Sequence, residues 1–350
     1  MSVSCLVRSL LVIFFLLPGA LWGAKAPDNP NWGSQEVLRR CWSEEELGGR
    51  DKDKVIVKAL TATPRRPQMK APLEELCPSS PTPARSIRRV SLAPGTRWVA
   101  LTFDLCEGRN EIAGYDRGIV NSLRQHGIHA TFFAGGKWMQ SHPVKTLQLM
   151  ADPLFELGNH SWSHANLRLI GEKDLLEEIL LPQVQYRELR NMLISFRAAQ
   201  QAGAEELSKI PKIPVTFRFP YGRCSDEALK MLHRLHLAAV QWDVVSGDPS
   251  KAQTAQRIVT AVLHNVRPGS IVIFHANGRG YHTAEALPLL VSELKKRGYD
   301  FVTVSYLLAH GTAITTPDCY ELKPGDNEHY DQLFGGRTGQ KKSVKSAPHR

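Results

Sequence analysis

The sequence lacks a second long hydrophobic run, a Cys-X-X-Cys pair and any excess of charge in its central part. The one conspicuous apolar run, residues 10–17, is short of the roughly 20 residues that span a bilayer. Without Cys-X-X-Cys spacing, nothing indicates a thiolate zinc knuckle. The overall composition, 42% hydrophobic and 22% charged, is ordinary for a globular protein.

The net charge of +10 belongs to the ends of the chain. Residues 98–336 contain 24 Lys and Arg against 25 Asp and Glu, whereas residues 25–97 contain 14 against 9 and residues 337–350 contain 5 against none. Nucleic-acid binding depends on clustered Lys and Arg, so the near-neutral centre argues against it. The basic C-terminal end either contacts anionic envelope polymers or is simply solvated. The sequence does not reveal an oligomeric state.

Residues 1–24 have the order of parts of a signal peptide: a positive charge at Arg8, an apolar core, a Pro-Gly break and small residues before the end. We therefore expect export to the periplasm or the exterior, with an uncleaved N-terminal anchor as the alternative. Five of the six cysteines lie beyond this segment, so at least one lacks an intramolecular partner, and export permits disulfides.

The rest of the chain divides into segments that differ in proline content and hydrophobic periodicity. Residues 25–97 contain nine prolines and weak periodicity, which predicts an extended, partly ordered leader. From Trp98, short apolar runs alternate with amphipathic stretches, the pattern of repeated strand-helix units. Residues 98–310 form the predicted domain and residues 311–350 a polar, basic tail. The seven predicted strands are 98–103, 129–134, 154–158, 214–219, 237–242, 270–275 and 300–305. They indicate a parallel, barrel-like α/β domain.

Polar residues follow these strands at their carboxyl ends, where ligands and catalytic groups gather in parallel α/β domains. Each could be a cap or a surface residue, but their coincidence at one face predicts a functional site. They are Asp104, His160, His164, Arg218, Asp243 and His275.

His160 and His164 are four residues apart, which places two imidazoles on one face of a helical turn. Such a pair suits a divalent metal such as zinc, although ordinary packing also explains it. A carboxylate from another strand, Asp104 or Glu107, would complete a catalytic metal site with an open position for water.

The segment RFPYGRC combines Arg218 with a Pro-Tyr-Gly turn. Arginine can fix a carboxylate in one orientation, and the turn can present backbone N–H groups to a developing oxyanion. A plain surface turn with an ion pair is the alternative.

Over roughly Trp98 to Leu308 the sequence resembles the NodB-homology polysaccharide deacetylases, carbohydrate esterase family 4. Five motifs occur in the family's order. TFDD is approximated by TFDL (102–105), H(S/T)xxH by HSWSH (160–164), and RxPYG by RFPYG (218–222). DxxSxDW is met by DVVSGDP (243–249), with Pro249 replacing the tryptophan. The fifth motif, an apolar strand that ends in Leu-His, is met by IFH (273–275). The resemblance implies an incomplete or distorted (β/α)7 barrel.

The resemblance also implies the roles of an acid and a base. Asp104 would be the general base and Arg218 would position it. His275 would protonate the leaving nitrogen, and Asp243 would hold that imidazole in orientation and keep it charged.

The metal site departs from the family pattern. His160 and His164 would hold the metal, and the Tyr221 backbone N–H would assist the oxyanion. The family's second aspartate, normally the third ligand, is Leu105 here. We expect Glu107 to replace it; ligation by Asp104 and a metal-weak or metal-free site are the alternatives.

Two further hypotheses concern the loops of the predicted site. A disulfide between Cys106 and Cys224 would brace them, and Asp116 would cap the helix that follows it, with contact to the substrate as the alternative.

Together these expectations describe an exported hydrolase that removes acetyl groups from N-acetylglucosamine-containing glycans. The rivals are a metal-independent, allantoinase-like hydrolase of a small cyclic amide, an O-acetyl esterase and an inactive glycan-binding relative.

Overall fold

The computed structural model describes residues 32–58 and 66–335. The strands are β1 (Val57–Lys58), β2 (Ser86–Ser91), β3 (Trp98–Leu105), β4 (Glu111–Ile112), β5 (Ala130–Ala134), β6 (Phe155–Asn159), β7 (Thr216–Phe217), β8 (Ala238–Ala239), β9 (Val244–Val245), β10 (Ile271–His275), β11 (Asp300–Phe301) and β12 (Thr312–Thr316). The helices are α1 (Gln35–Cys41), α2 (Glu44–Gly48), α3 (Arg117–His126), α4 (Gly136–Ser141), α5 (Pro143–Ala151), α6 (Glu172–Ser195), α7 (Arg197–Gln200), α8 (Ala204–Ser208), α9 (Asp226–Arg234), α10 (Ala255–Asn265), α11 (Thr283–Lys296), α12 (Val304–Ala309) and α13 (His329–Gly335).

A parallel, curled half-barrel sheet carries the fold, in the order β8-β7-β6-β5-β3-β10-β9, with β11 paired to the start of β3. The predicted α/β half-barrel is therefore confirmed, and each of the seven predicted strands overlaps a strand of this sheet. The central strands are buried on both faces and therefore read as nearly continuous apolar runs. Phe103 illustrates this, because its ring stacks on Phe132 and on Phe274 at 5.3 Å from each.

The register of the sheet sets the position of two polar side chains. β10 pairs with β3 so that His275 lies opposite Asp104. Both residues lie at the carboxyl ends of their strands, Asp104 one residue before the end of β3 and His275 at the end of β10, and the following loops and helices enclose them. The predicted cap is also confirmed: the Asp116 carboxylate accepts a hydrogen bond from Gly118 N at 2.9 Å and begins α3.

The packed structure begins well before Trp98. Val37 and Leu38 of α1 are buried in the main core cluster, and the Ser34 hydroxyl caps this helix by accepting from Val37 N. β2 pairs antiparallel with β12. The leader predicted for residues 25–97 therefore contributes to the core over its described part. The sequence does not show this, because the apolar runs in this segment are too short and too often interrupted by proline to show periodicity.

The predicted tail is also packed over residues 311–335. β12 lies in this segment, Cys319 is fully buried, and α13 follows. Pairing and burial here depend on partners far away in the chain, which composition cannot reveal. The signal peptide predicted for residues 1–24 and the basic end at residues 337–350 lie outside the described residues. Over the part that is described, no helix combines the length and apolarity needed to cross a bilayer.

The predicted disulfide between Cys106 and Cys224 is wrong. Cys224 is bonded to Cys319, and Cys106 is a free, buried thiol. The cause is the folding of the C-terminal segment back over the loop that carries Cys224. This bond closes a loop with a sequence separation of 95 residues.

Removing this disulfide with Cys319→Ala is expected to lower the free energy of unfolding by about 2–4 kcal/mol, because the crosslink restricts the unfolded chain. Denaturant unfolding monitored by circular dichroism would measure the change. Cys41→Ala, which removes a half-buried free thiol, serves as the control and should cost less than about 1 kcal/mol. Equal stability of the two variants would contradict this account.

Candidate active site

A buried ion pair lies at the end of β3. Arg218 Nη1 donates to Asp104 Oδ1 at 2.9 Å and to Thr102 Oγ1 at 2.7 Å. The guanidinium is fully buried, lies 4.0 Å from the centroid of the Phe133 ring and donates through Nη2 to Gln241 O. Asp104 Oδ1 is thus engaged, which leaves Oδ2 as the oxygen that faces the rest of the site.

His160 follows β6 directly and faces the same carboxylate. Its Nδ1 lies 2.9 Å from the carbonyl oxygen of Arg218; since a carbonyl can only accept, Nδ1 carries the hydrogen and Nε2 presents a lone pair. Nε2 is buried without a hydrogen-bond partner among the described residues, 3.5 Å from Asp104 Oδ2. A buried nitrogen in this state is suited to bind a metal.

His164 reaches His160 through a loop. The helical turn predicted for HSWSH is wrong, because Ser161 and His164 have left-handed φ angles of 62° and 55°. The Ser161 hydroxyl accepts from His164 N at 3.1 Å and stabilises this turn. The two rings nevertheless approach, with centroids 4.9 Å apart. Left-handed backbone in non-glycine residues is a form of strain found preferentially at functional sites.

Burial controls the charge of both rings. Desolvation lowers the pKa of His160, partly offset by Asp104, and it lowers the pKa of His164 well below its usual value, with the neighbouring histidines acting in the same direction. Both imidazoles are therefore neutral near pH 7. Neutral imidazole is the form that binds metal ions.

Cys106 completes a group of three possible ligands. Its sulfur and one ring nitrogen from each of His160 and His164 all lie within 4.8 Å of one another. Burial raises the pKa of the Cys106 thiol to about 12. Asn277 Nδ2 donates to this sulfur at 3.0 Å and to the Cys106 carbonyl oxygen at 2.8 Å. Two nitrogens and a sulfur so placed fit a divalent cation.

The structure does not bring Glu107 to the histidines. Its Oε2 accepts from Ala113 N at 2.9 Å, and its Oε1 accepts from Ser141 Oγ at 2.7 Å, with Lys137 Nζ 3.3 Å away. β3 ends at Leu105, which is buried in the main core cluster, so alternation continued past the strand end puts Cys106 on the side of Asp104 and Glu107 on the side of Leu105. The expectation of Glu107 as a metal ligand overlooked this alternation, which is readable from the sequence.

The residue that orients His275 is Asp248, not Asp243. His275 Nδ1 lies 2.9 Å from Asp248 Oδ1, and His275 N donates to Asp248 Oδ2 at 2.8 Å. The predicted partner, Asp243, instead accepts from Ile271 N and Ser270 Oγ at the opposite end of β10. Both aspartates belong to DVVSGDP, and only the path of the chain after β9 decides which of them reaches the imidazole.

Asp248 favours the charged form of the ring. Burial disfavours the charged imidazole of His275, but the charge and hydrogen bond of Asp248, with a smaller contribution from Asp104, outweigh it and raise the pKa of His275. Asp248 is itself held by Thr283 Oγ1 at 2.7 Å and Ser246 Oγ at 3.1 Å. His275 is thereby prepared to carry a proton.

Tyr221 lies beside the histidines and under the C-terminal segment. Its ring centroid is 4.4 Å from that of His164 and 4.6 Å from that of Phe334. Its φ of 59° is left-handed, and Asn327 Nδ2 donates to its carbonyl oxygen at 3.2 Å. The oxyanion role of its backbone N–H stays a prediction.

The C-terminal segment fixes this strained turn from outside. Asp331 of α13 pairs with Arg223, directly after the turn, with Arg223 Nε 3.0 Å from Asp331 Oδ1. Tyr330 adds a ring 4.9 Å from that of Tyr221. No sequence signal connects these residues to the site, because their contacts with Arg223 and Tyr221 join parts of the chain that are far apart in sequence.

Comparison with known proteins agrees with this geometry. The family model described as polysaccharide deacetylase matches residues 92–240. The peptidoglycan-N-acetylglucosamine deacetylase of Bacillus cereus is 29% identical over 208 residues, which cover 59% of this chain and 66% of that protein. The chitooligosaccharide deacetylase of Bradyrhizobium is 30% identical over 219 residues, which cover 59% of this chain and 88% of that protein.

A solved structure supports the same assignment. The Bc1960 peptidoglycan N-acetylglucosamine deacetylase, crystallised with a substituted N-hydroxybenzamide, superposes with a TM-score of 0.52 at 25% identity. The match covers 66% of this chain and 95% of that structure. Because 30% identity extends over 88% of a named deacetylase and the family model matches the strands from β3 to β8, this chain belongs to the polysaccharide deacetylase family.

Proposed function

We propose that the protein is an exported deacetylase that hydrolyses the N-acetyl groups of N-acetylglucosamine-containing glycans. The observation that carries this proposal is the placement of Asp104 and His275 opposite each other on β3 and β10, each with its own buried partner. A carboxylate held by arginine and an imidazole held by a carboxylate are a base and an acid facing the same space.

Each group supports one requirement of amide hydrolysis. Asp104 Oδ2, the oxygen that Arg218 leaves free, accepts a proton from the attacking water. His275 donates a proton to the departing nitrogen from Nε2, since Nδ1 is bonded to Asp248. The Tyr221 backbone N–H stabilises the oxyanion. Arg218 keeps the base in place, and the negative charge of Asp104 balances the positive charge of the guanidinium.

His160 and His164 would hold a divalent metal, which we propose is zinc. When bound, such an ion polarises the acetyl oxygen and lowers the pKa of bound water. The lone pair on the buried His160 Nε2 and the neutral state of both rings support this assignment.

Export remains a proposal that rests on the N-terminal sequence. The Cys224–Cys319 disulfide supports it, because disulfides persist in oxidising compartments and are rare in the cytosol. An envelope or extracellular location would place the enzyme beside acetylated glycans. The basic residues at 337–350 would then contact anionic envelope polymers.

Acetate release from N-acetylglucosamine oligomers tests the proposed reaction. The purified enzyme with added zinc should release acetate, chelation should abolish the release, and Asp104→Asn should reduce the rate about 10²- to 10⁴-fold by removing the base. Hydrolysis of a small cyclic amide, with no release from acetylated oligomers in the presence of any divalent metal, would contradict the proposal. Acetate release that survives chelation would contradict only the proposed role of the metal and would leave the deacetylase reaction in place.

The two aspartates of DVVSGDP provide a matched pair for the acid. His275 must be protonated to donate, so activity is lost as the pH rises through its pKa, which Asp248 holds above the usual value. Asp248→Asn removes that charge, lowers the pKa of His275 and moves the alkaline limb of the kcat profile to lower pH.

Asp243→Asn is the control because Asp243 contacts Ser270 and Ile271, not the imidazole. It should leave the alkaline limb in place. The assignment fails if Asp243→Asn shifts this limb and Asp248→Asn does not. Titration of the His275 ring protons by NMR gives the same comparison without turnover.

A further inference from the structure

We propose that Cys106 is the third protein ligand of the metal, so that this chain builds a Cys-His-His site where the family pattern has an aspartate and two histidines. This inference rests on the proposed metal-assisted function and goes beyond it, because it names the ligand that replaces the aspartate missing at Leu105 and the class of metal that the site selects.

Three donor atoms converge at this position. The Cys106 sulfur and the two histidine nitrogens lie within 4.8 Å of one another. Metal bonds are about 2.0 Å to nitrogen and about 2.3 Å to sulfur, so these atoms can share one ion after small side-chain shifts. The unpartnered Nε2 of His160, a residue only 1% exposed, is independent evidence for a missing partner at the same place.

The direction of the Cys106 side chain follows from β3. β3 ends at Leu105, and the next residue, Cys106, places its sulfur beside the nitrogens of His160 and His164, on the side of the sheet that carries Asp104. Leu105 is fully buried in the main core cluster on the opposite side. The position at which this family's aspartate is replaced by leucine is therefore followed at once by a residue with a ligating atom.

Asn277 holds the sulfur in place. This fully buried amide donates from Nδ2 both to the Cys106 sulfur and to the Cys106 carbonyl oxygen. A donor aimed at sulfur stabilises its electron-rich form, as outer-shell partners of metal ligands do. On binding, the S–H bond breaks, a metal–sulfur bond forms and one proton passes to solvent.

Of the two carboxylates named as possible ligands, Asp104 is paired with Arg218 through Oδ1, and Glu107 is committed elsewhere. Both oxygens of Glu107 are engaged by Ala113 and Ser141, and Lys137 lies beside them. A ligand set of one thiolate and two imidazoles prefers zinc or cobalt to magnesium or manganese, because sulfur is a soft donor. Three protein ligands also leave a position open for water or substrate.

The experiment uses a parent in which Cys41 and Cys77, the other free cysteines among the described residues, are both replaced by serine. The zinc-loaded parent is measured by X-ray absorption, and a cobalt-loaded sample by near-ultraviolet absorption. We expect a sulfur neighbour at about 2.3 Å from zinc and a sulfur-to-cobalt charge-transfer band. The X-ray measurement needs no change at Cys106.

Two variants of this parent complete the test. Cys106→Ser should lose the sulfur neighbour and the cobalt band, and should weaken zinc binding at least about tenfold, since even outer-shell partners contribute about 10- to 100-fold. Glu107→Gln should retain both signals. Zinc affinity is measured by competition with a chromogenic chelator.

A parent that binds one zinc through nitrogen and oxygen alone would overturn the assignment of Cys106 while leaving the deacetylase proposal intact. Retention of the sulfur signal in Cys106→Ser would do the same. A folded parent that binds no zinc would overturn both the Cys106 site and the metal-assisted part of the proposed function, whereas acetate release tests the reaction itself.

Discussion

The buried ion pair between Asp104 and Arg218 connects most of the active site. Arg218 is fully buried and donates to Thr102 and Asp104 on β3 and to the carbonyl of Gln241 beyond β8. Its own carbonyl accepts from His160 Nδ1 and so determines which nitrogen of that ring faces the site. One residue thereby holds the base, joins both sides of the half-barrel and sets the tautomer of a proposed metal ligand. Removing one partner of such a pair leaves the other charge buried and costs about 3–5 kcal/mol.

The sheet and much of the site are predictable because they follow from local pattern. Parallel strands buried on both faces give apolar runs that can be read directly, and such runs predict β3, β5, β6 and β10. Residues near the carboxyl ends of such strands meet at one edge, so the sequence alone groups Asp104, Arg218 and the histidines.

The errors arise where distant parts of the chain meet. Cys224 pairs with Cys319 rather than Cys106, since the C-terminal segment folds back over the site. The choice between Asp243 and Asp248 depends on the path after β9, which no local pattern reports. The error at Glu107 differs in kind: alternation continued past Leu105, the last residue of β3, puts Cys106 rather than Glu107 on the side of Asp104.

The central claim is that Asp104 and His275 divide the roles of base and acid, and leaving-group dependence tests it most directly. A protonated imidazole is needed to expel a poor leaving group such as an amine, but not an activated phenolate. His275→Ala should therefore lose at least about 100-fold in kcat on an N-acetylglucosamine oligomer and retain most activity on 4-nitrophenyl acetate. Asp104→Asn should lose activity on both substrates. Equal losses on the two substrates in His275→Ala, or none, would contradict the account.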